Sequence, residues 1–320
     1  MHRRLRSLPS SLALLALGAH AARAQSSYPD RCGVAIPAEE ASGYVPIPRG
    51  DVFCPLVADP KAQRSFVSYL SGDSTALGTH VGSVGIGDRF GIARWGGARP
   101  GNGVQLSIGG SVFAQFDLGS SSFDLINADY LIGVPLTIRV GGFSTRLRAY
   151  HQSSHLGDEF LLRGDTTARR ENLSFESAEL ILSQDMGPLR AYAGGEYLFN
   201  RTPETLEELV GHGGLELRQP RPFVSIGPLA SVRLVAAGDV KVARAQRELP
   251  EGTASRPRVS QDWRPAISAR AGFEVGRPRG SAPVGRVWSL LVEFYDGPSP
   301  YGQFYLDDIQ TLGVGMHFTL

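Results

Sequence analysis

Residues 130–140 read YLIGVPLTIRV. Tyr130, Ile132, Val134, Leu136, Ile138 and Val140 share one face of a two-residue period, and Asp129, Gly133, Thr137 and Arg139 share the other. Successive side chains of a strand point to opposite faces, so this stretch reads as a strand with one apolar and one polar side. Apolar-out and polar-in is the pattern of a transmembrane barrel, and a tilted strand crosses a bilayer in about 9–11 residues. A soluble β-sandwich alternates as well, but usually with shorter strands.

The alternation recurs along the chain, punctuated by Gly, Pro, Asn and Asp. It predicts strands over 62–72, 80–95, 103–117, 123–140, 143–155, 171–184, 188–200, 210–218, 224–242, 262–275, 286–296 and 303–320. In GVQLSIGGSVFAQFDL the phase is expected to slip around Gly109-Gly110. Helical periodicity is rare, its best short case being Pro203 to Val210. Connections alternate in length: Gly141-Gly142, Asp185 to Gly187 and Gln219 to Pro222 are tight, whereas Leu156 to Arg170, Arg201 to Leu209 and Ala243 to Gln261 are long. Outer-membrane barrels have short periplasmic turns and long extracellular loops, so strand 143–155 runs outward. The chain ends on TLGVGMHFTL, alternating to the terminus like the C-terminal strand that barrel assembly machinery recognises. Phe294-Tyr295, Phe304-Tyr305, Tyr197 and Phe199 fit an aromatic girdle or, alternatively, ordinary packing.

The first residues, MHRRLRSLPSSLALLALGAHAARAQ, combine a basic start, a short apolar run and a small-x-small site at Ala22 to Ala24. That is a secretory signal over residues 1–24, and a Gram-negative outer membrane is the expected destination. Its removal takes four of the 32 basic side chains, leaving 28 against 31 acidic ones, a balance of −3. No nucleic-acid footprint remains. Cys32 and Cys54 read as one disulfide in an exported chain, with a loop stabilisation of about 3 kcal/mol. A redox or metal role has little support, because there is no Cys-x-x-Cys and no nearby histidine. The expectation is an all-β, antiparallel transmembrane barrel of about 12 strands over 62–320. A short, irregular, disulfide-closed periplasmic segment, 25–61, precedes it.

Candidate chemistry lies in LRAYHQSSHLGDEF, residues 147–160. His151 and Ser153 share the apolar face of Phe143, Leu147 and Ala149, opposite Arg146, Arg148 and Gln152. Residues i and i+2 of a strand lie about 6.6 Å apart, so an imidazole can reach a serine hydroxyl, which needs such a base to become a nucleophile. The imidazole needs a third polar group to fix its tautomer. Glu171 is the first choice; Asn172, Glu176, Asp158, Glu159 and Asp165 are alternatives. His155 also flanks Ser153 on that face, so either histidine could be the base. The histidines are about 13 Å apart, too far to share a zinc ion. Asp158 and Glu159 offer carboxylates to calcium, though two acids fall short of a site.

HQSSHLG resembles the His-x-Ser-Asn strand motif of outer-membrane phospholipase A and of the lipid A 3-O-deacylase. In both families the pair faces lipid at the outer leaflet and cleaves acyl esters, and the phospholipase has twelve strands. Ser154 stands where those motifs have asparagine. The phospholipase resemblance implies a polar third member about a dozen residues past the serine, the spacing of Asp165. Over residues 53–320, FCPLVADP, FAQFDL, DLINADY, NLSFES, AYAGGEY, QDWRP and EFYDGPSPYGQFY resemble the bacterial family catalogued as domain of unknown function 1207. That resemblance implies an outer-membrane protein without an assigned activity. GSVGIGDRFG follows no βαβ pattern and is no dinucleotide fingerprint; serine-elbow, metalloprotease and phosphate-loop motifs are absent from the sequence. Arg139, Arg146 and Arg148 with Asp129 and Glu176 suggest a charged interior, either a structural lattice or an anion-selective pore. Two readings follow. One is a lipid acyl-ester hydrolase acting on phospholipid or lipid A; the other is a non-enzymatic barrel serving as small channel, assembly factor or structural protein.

Overall fold

The computed structural model describes residue 36 and residues 42–72, 77–99, 101–163, 170, 172–204, 206–226, 230–248, 259–276 and 287–319. Among these, the strands are β1 (Gly43–Pro46), β2 (Ser65–Gly72), β3 (His80–Gly96), β4 (Gly103–Asp117), β5 (Leu125–Val140), β6 (Phe143–Leu156), β7 (Leu173–Met186), β8 (Leu189–Thr202), β9 (Leu209–Arg218), β10 (Val224–Ile226), β11 (Ala230–Glu248), β12 (Val259–Gly276), β13 (Val287–Pro298) and β14 (Asp308–Thr319). A short helix, α1 (Asp158–Leu162), follows β6, and a 3₁₀ turn (Gly302–Phe304) precedes β14. Twelve strands form an antiparallel ring, closed where β14 pairs with β2. The short β1 adds to β3, and β10 to β11.

The two-residue period sets which side meets lipid. Tyr130, Ile132 and Val134 of β5 are exposed on the outside, while Asp129 and Thr137 are fully buried within. The β4 register shows no slip at Gly109-Gly110: Gly109 pairs with Gly133 and Gly110 with Ile132 in the phase set by Leu106 and Leu136. Val104, Ile108, Val112 and Phe116 thus keep one face throughout. Gly141, at φ 60°, makes the tight β5–β6 turn that an ordinary side chain would strain. The rim carrying that turn also carries the β7–β8 turn and the end of β14; by loop length it is periplasmic.

The lumen is filled. The expected periplasmic segment instead enters the barrel, and residues 51–63 cross its interior as a plug. Val52, Phe53, Leu56 and Ala58 are fully buried there. Phe53 lies under the guanidinium groups of Arg146 and Arg190, 5.0 and 4.8 Å from its ring centre. The Val57 N–H donates to Glu216 at 2.7 Å, and Arg270 donates to the Val57 carbonyl at 2.8 Å. Asp51 pairs with Arg89 at 2.9 Å, and Lys61 pairs with Asp129. The segment goes inside because inward-facing arginines need acceptors, which its carbonyls and acids supply. Cys54 is buried in the plug; Cys32 and the signal residues 1–24 lie outside the described residues.

The lumen wall is a charge lattice. Glu179 accepts from Arg146 and Arg148, both at 2.7 Å, and Glu216 lies between Arg190 at 3.3 Å and Arg218 at 3.1 Å. The expected partners differ in detail: Asp129 serves Lys61, Arg139 pairs with Asp185, and Glu176 faces outward. Other differences are local. At Pro203 to Val210 the Leu206 N–H bonds the Pro203 carbonyl in one turn that does not propagate, and β9 starts at Leu209. The expected strand 224–242 divides into β10 and β11, and the last strand begins at Asp308 because residues 299–307 fold inward. Tyr295 and Phe304 are therefore core residues, while Tyr197 and Phe199 are exposed.

Candidate active site on the outer face of the barrel

Along β6 burial alternates without a break. Ser144, Arg146, Arg148, Tyr150, Gln152 and Ser154 are buried inside, so Thr145, Leu147, Ala149, His151, Ser153 and His155 face out. Ser153 lies three residues from the end of β6 that loop length makes extracellular, about 10 Å along the strand. The register completes the group: His151 stands opposite Glu176 of β7 and Ile132 of β5, and Ser153 opposite Ser174 and Tyr130.

His151 Nδ1 lies 3.1 Å from Glu176 Oε1. A carboxylate at Nδ1 fixes the tautomer that carries its proton there and leaves the Nε2 lone pair free as a base. Both side chains are partly exposed, 44% for His151 and 37% for Glu176. Ser153 Oγ has no hydrogen-bond partner among the described residues, and no bond joins it to either histidine. The His155 ring sits edge-on to Tyr130, centroids 5.6 Å apart, a packing contact. Glu171 and Asp165 lie outside the described residues. Glu176 was one of several acids within sequence reach of the serine, and only the β6–β7 register singles it out.

The inner side of the same strand is braced. Ser154 Oγ donates to Asn127 Oδ1 at 3.0 Å and also bonds Asp129. The Gly302 N–H reaches Asp129 at 3.2 Å, and Gln303 Nε2 donates to the Ser154 carbonyl at 2.9 Å. A Cβ on Gly302 would stand 2.5 Å from Ser154 Cβ, so only glycine lets the loop approach this closely. Above this level Arg163, after α1, binds Asp117 at 2.5 Å and also Asp124. The Ser122 hydroxyl, then Arg163, hold the Asp124 carboxyl below the usual carboxylate range; the Asp117 and Asp124 bonds raise the Arg163 guanidinium.

Asp158 pairs with Arg170 at 2.5 Å and is mostly exposed, and Glu159 is exposed. Neither belongs to a cluster of potential metal ligands among the described residues, and two acids do not fill a calcium shell. The cluster that does exist is Asp59, His212 and Asp239 in the lumen. Its charge is already met: Lys241 lies 3.3 Å from Asp59, and His212 Nε2 lies 2.7 Å from Asp239. Sequence reasoning missed this latch, because its members come from the plug, β9 and β11.

A closed antiparallel barrel with lipid-facing apolar side chains and a charged interior defines an integral outer-membrane protein of a Gram-negative bacterium. The chain belongs to the family described as protein of unknown function (DUF1207), whose model matches residues 19–320. Among solved structures, outer membrane phospholipase A from Escherichia coli is similar at 12% identity and a TM-score of 0.51, over 80% of this chain and 90% of that one. An active-site mutant of the same enzyme gives 0.50, again at 12% identity, over 83% and 93%. The calcium-bound dimer of the Salmonella typhi phospholipase gives 0.48 at 12% identity, over 82% and 94%. At this identity the likeness concerns the fold alone. No curated protein matches the chain.

Proposed function

We propose that the protein is an acyl-ester hydrolase acting on outer-leaflet lipid, phospholipid or lipid A, with Ser153, His151 and Glu176 as its working group. The observation that carries this reading is the His151–Glu176 contact on the lipid side of β6, two residues from an outward serine. Ser153 Oγ attacks the ester carbonyl while His151 Nε2 takes its proton, and Glu176 steadies the imidazolium. The tetrahedral oxyanion is held by a backbone N–H or a bound cation. The proton on His151 passes to the departing alcohol. Water then attacks the acyl-serine with His151 again as base, releasing the fatty acid and restoring Ser153.

The filled lumen favours this reading over a channel, because conduction would have to pass a plug of fully buried side chains. The unbonded Ser153 hydroxyl favours the competing reading of a structural barrel. The reading also includes a cleaved signal over residues 1–24, a Cys32–Cys54 disulfide, and assembly through β14.

The test is acyl release from phospholipid and from lipopolysaccharide by refolded protein, with and without calcium, beside Ser153→Ala and His155→Ala. Release that disappears in Ser153→Ala and persists in His155→Ala supports the assignment. No release from either lipid, or equal release by Ser153→Ala, leaves the structural barrel.

A further inference from the structure

The oxyanion of an ester attacked on the lipid side of the wall needs hydrogen-bond donors there, and β7 brings one beside Ser153. Burial along β7 alternates: Leu173, Phe175 and Ser177 are buried inside, so Ser174 and Glu176 face out, both half-buried. The β6–β7 register sets Ser174 directly opposite Ser153, as it sets Glu176 opposite His151. The outer face thus carries a square across two strands, with base and acid in one row and two hydroxyls in the next. Directly opposed residues of an antiparallel pair have Cβ atoms about 4.5–5.5 Å apart.

Opposed hydroxyl side chains can bond each other, which would make the two serines a plain structural contact. Here they do not, and neither hydroxyl has a hydrogen-bond partner among the described residues. The other outward hydroxyls nearby are worse placed. Thr202 stands opposite Ser174 on β8, one strand further out and about 10 Å from Ser153. Tyr130 stands opposite Ser153 on β5, but its ring is packed against His155.

We propose that Ser174 is a catalytic residue of this site, its hydroxyl donating a hydrogen bond to the oxyanion formed when Ser153 attacks. This inference rests on the hydrolase reading and adds a side-chain donor to the backbone N–H or bound cation named there. As the bond from Ser153 Oγ to the carbonyl carbon forms, the carbonyl π pair moves onto oxygen and His151 Nε2 takes the Ser153 proton. Ser174 keeps its own proton and donates only the hydrogen bond. On collapse the carbonyl reforms, the alcohol leaves with the proton from His151, and the bond from Ser174 weakens. A donor must lie about 2.7–3.1 Å from the oxyanion, and the space between two opposed serines admits one oxygen at that distance from Ser174. Such a donor is effective where water is scarce, and losing one costs about 10²–10³ in kcat.

The test is acyl release from phospholipid and from lipopolysaccharide in detergent micelles by the full protein. A long-chain alkyl fluorophosphonate serves as a second probe, its labelled residue located by mass spectrometry. Ser174→Ala is expected to lower kcat by about 10²–10³ with KM within about twofold, and the label is expected on Ser153. Ser174→Thr, which keeps a hydroxyl, is expected to retain at least about a tenth of the wild-type rate. Four results overturn the proposal: an unimpaired Ser174→Ala, a loss confined to KM, a Ser174→Thr as slow as Ser174→Ala, or a label on Ser174 itself. Wild-type protein that neither releases acyl chains nor takes the label defeats the hydrolase reading and this inference together. Active wild type beside an equally active Ser174→Ala defeats this inference alone.

Discussion

Phe53→Ala should loosen the plug while leaving the wall standing. Phe53 is fully buried, with a guanidinium over its ring from Arg146 and another from Arg190. Truncating a buried Phe to Ala costs about 3–5 kcal/mol. That range already contains the two lost cation–π contacts. The plug keeps its other anchors in both forms: Val57 on Glu216, the Cys54 carbonyl on Arg190, and Asp59 on Lys241. A loss of about 4 kcal/mol, the middle of the range, is about a thousandfold in the opening equilibrium. Native-state hydrogen exchange reads this directly, since the Val57 amide of the plug donates to Glu216 of β9 and is released when the plug opens. Protection at Val57 should fall by about two to three decades, while amides in the β5–β6 ladder keep theirs. Unchanged protection at Val57 would refute the idea that Phe53 anchors the plug. Equal loss in β5–β6 would show that plug and wall open as one unit, which also defeats it.

Three further outcomes can be checked. Glu179→Gln leaves Arg146 and Arg148 facing each other without their shared carboxylate, and should cost about 3–5 kcal/mol in urea unfolding from lipid vesicles; an unmoved midpoint contradicts the lattice. Glu176→Gln keeps the shape beside His151 and removes the charge, so any acyl release should fall at least about tenfold, and equal rates would take Glu176 out of the site. The Asp124 carboxyl is depressed first by Ser122 and then by Arg163, so its contribution is present above the ordinary carboxylate value, about 3.9, and is lost as pH falls through the depressed one. Acidification below about pH 4 should therefore release Arg163 from Asp124, leaving it on Asp117 alone, and raise spin-label mobility on α1, whereas loosening that begins above pH 5 would implicate another group.

The barrel was legible because its signal is local. Each strand crosses a boundary between lipid and a polar lumen, so alternation within about a dozen residues suffices, and the exposed Ile132 and buried Asp129 follow from it. The outward pair His151 and Ser153 was legible for the same reason, since a period of two fixes both faces once one residue is assigned. Partners on other strands were not. Glu176 meets His151 through the β6–β7 register, which the sequence leaves uncertain by the length of the loop between them. The plug has no periodicity to read. Val52, Phe53 and Leu56 are buried because the lumen surrounds them, and its walls come from strands far along the chain. The inward loop after β13 hid for a similar reason: its aromatics continue the girdle pattern in sequence but serve the core.

The plug also imposes an order on assembly. It precedes β2, and β2 is the strand that meets β14 to seal the ring. Its contacts reach forward to Arg190, Glu216 and Arg270, as many as 213 residues away in the case of Val57 and Arg270. A segment held on so many sides is hard to thread into a finished cylinder. The strands must instead gather round it, with the seam closing last, so residues 51–63 act as a mandrel on which the wall is wound. The first part of the barrel to be synthesised then helps to set how tightly the remainder curls.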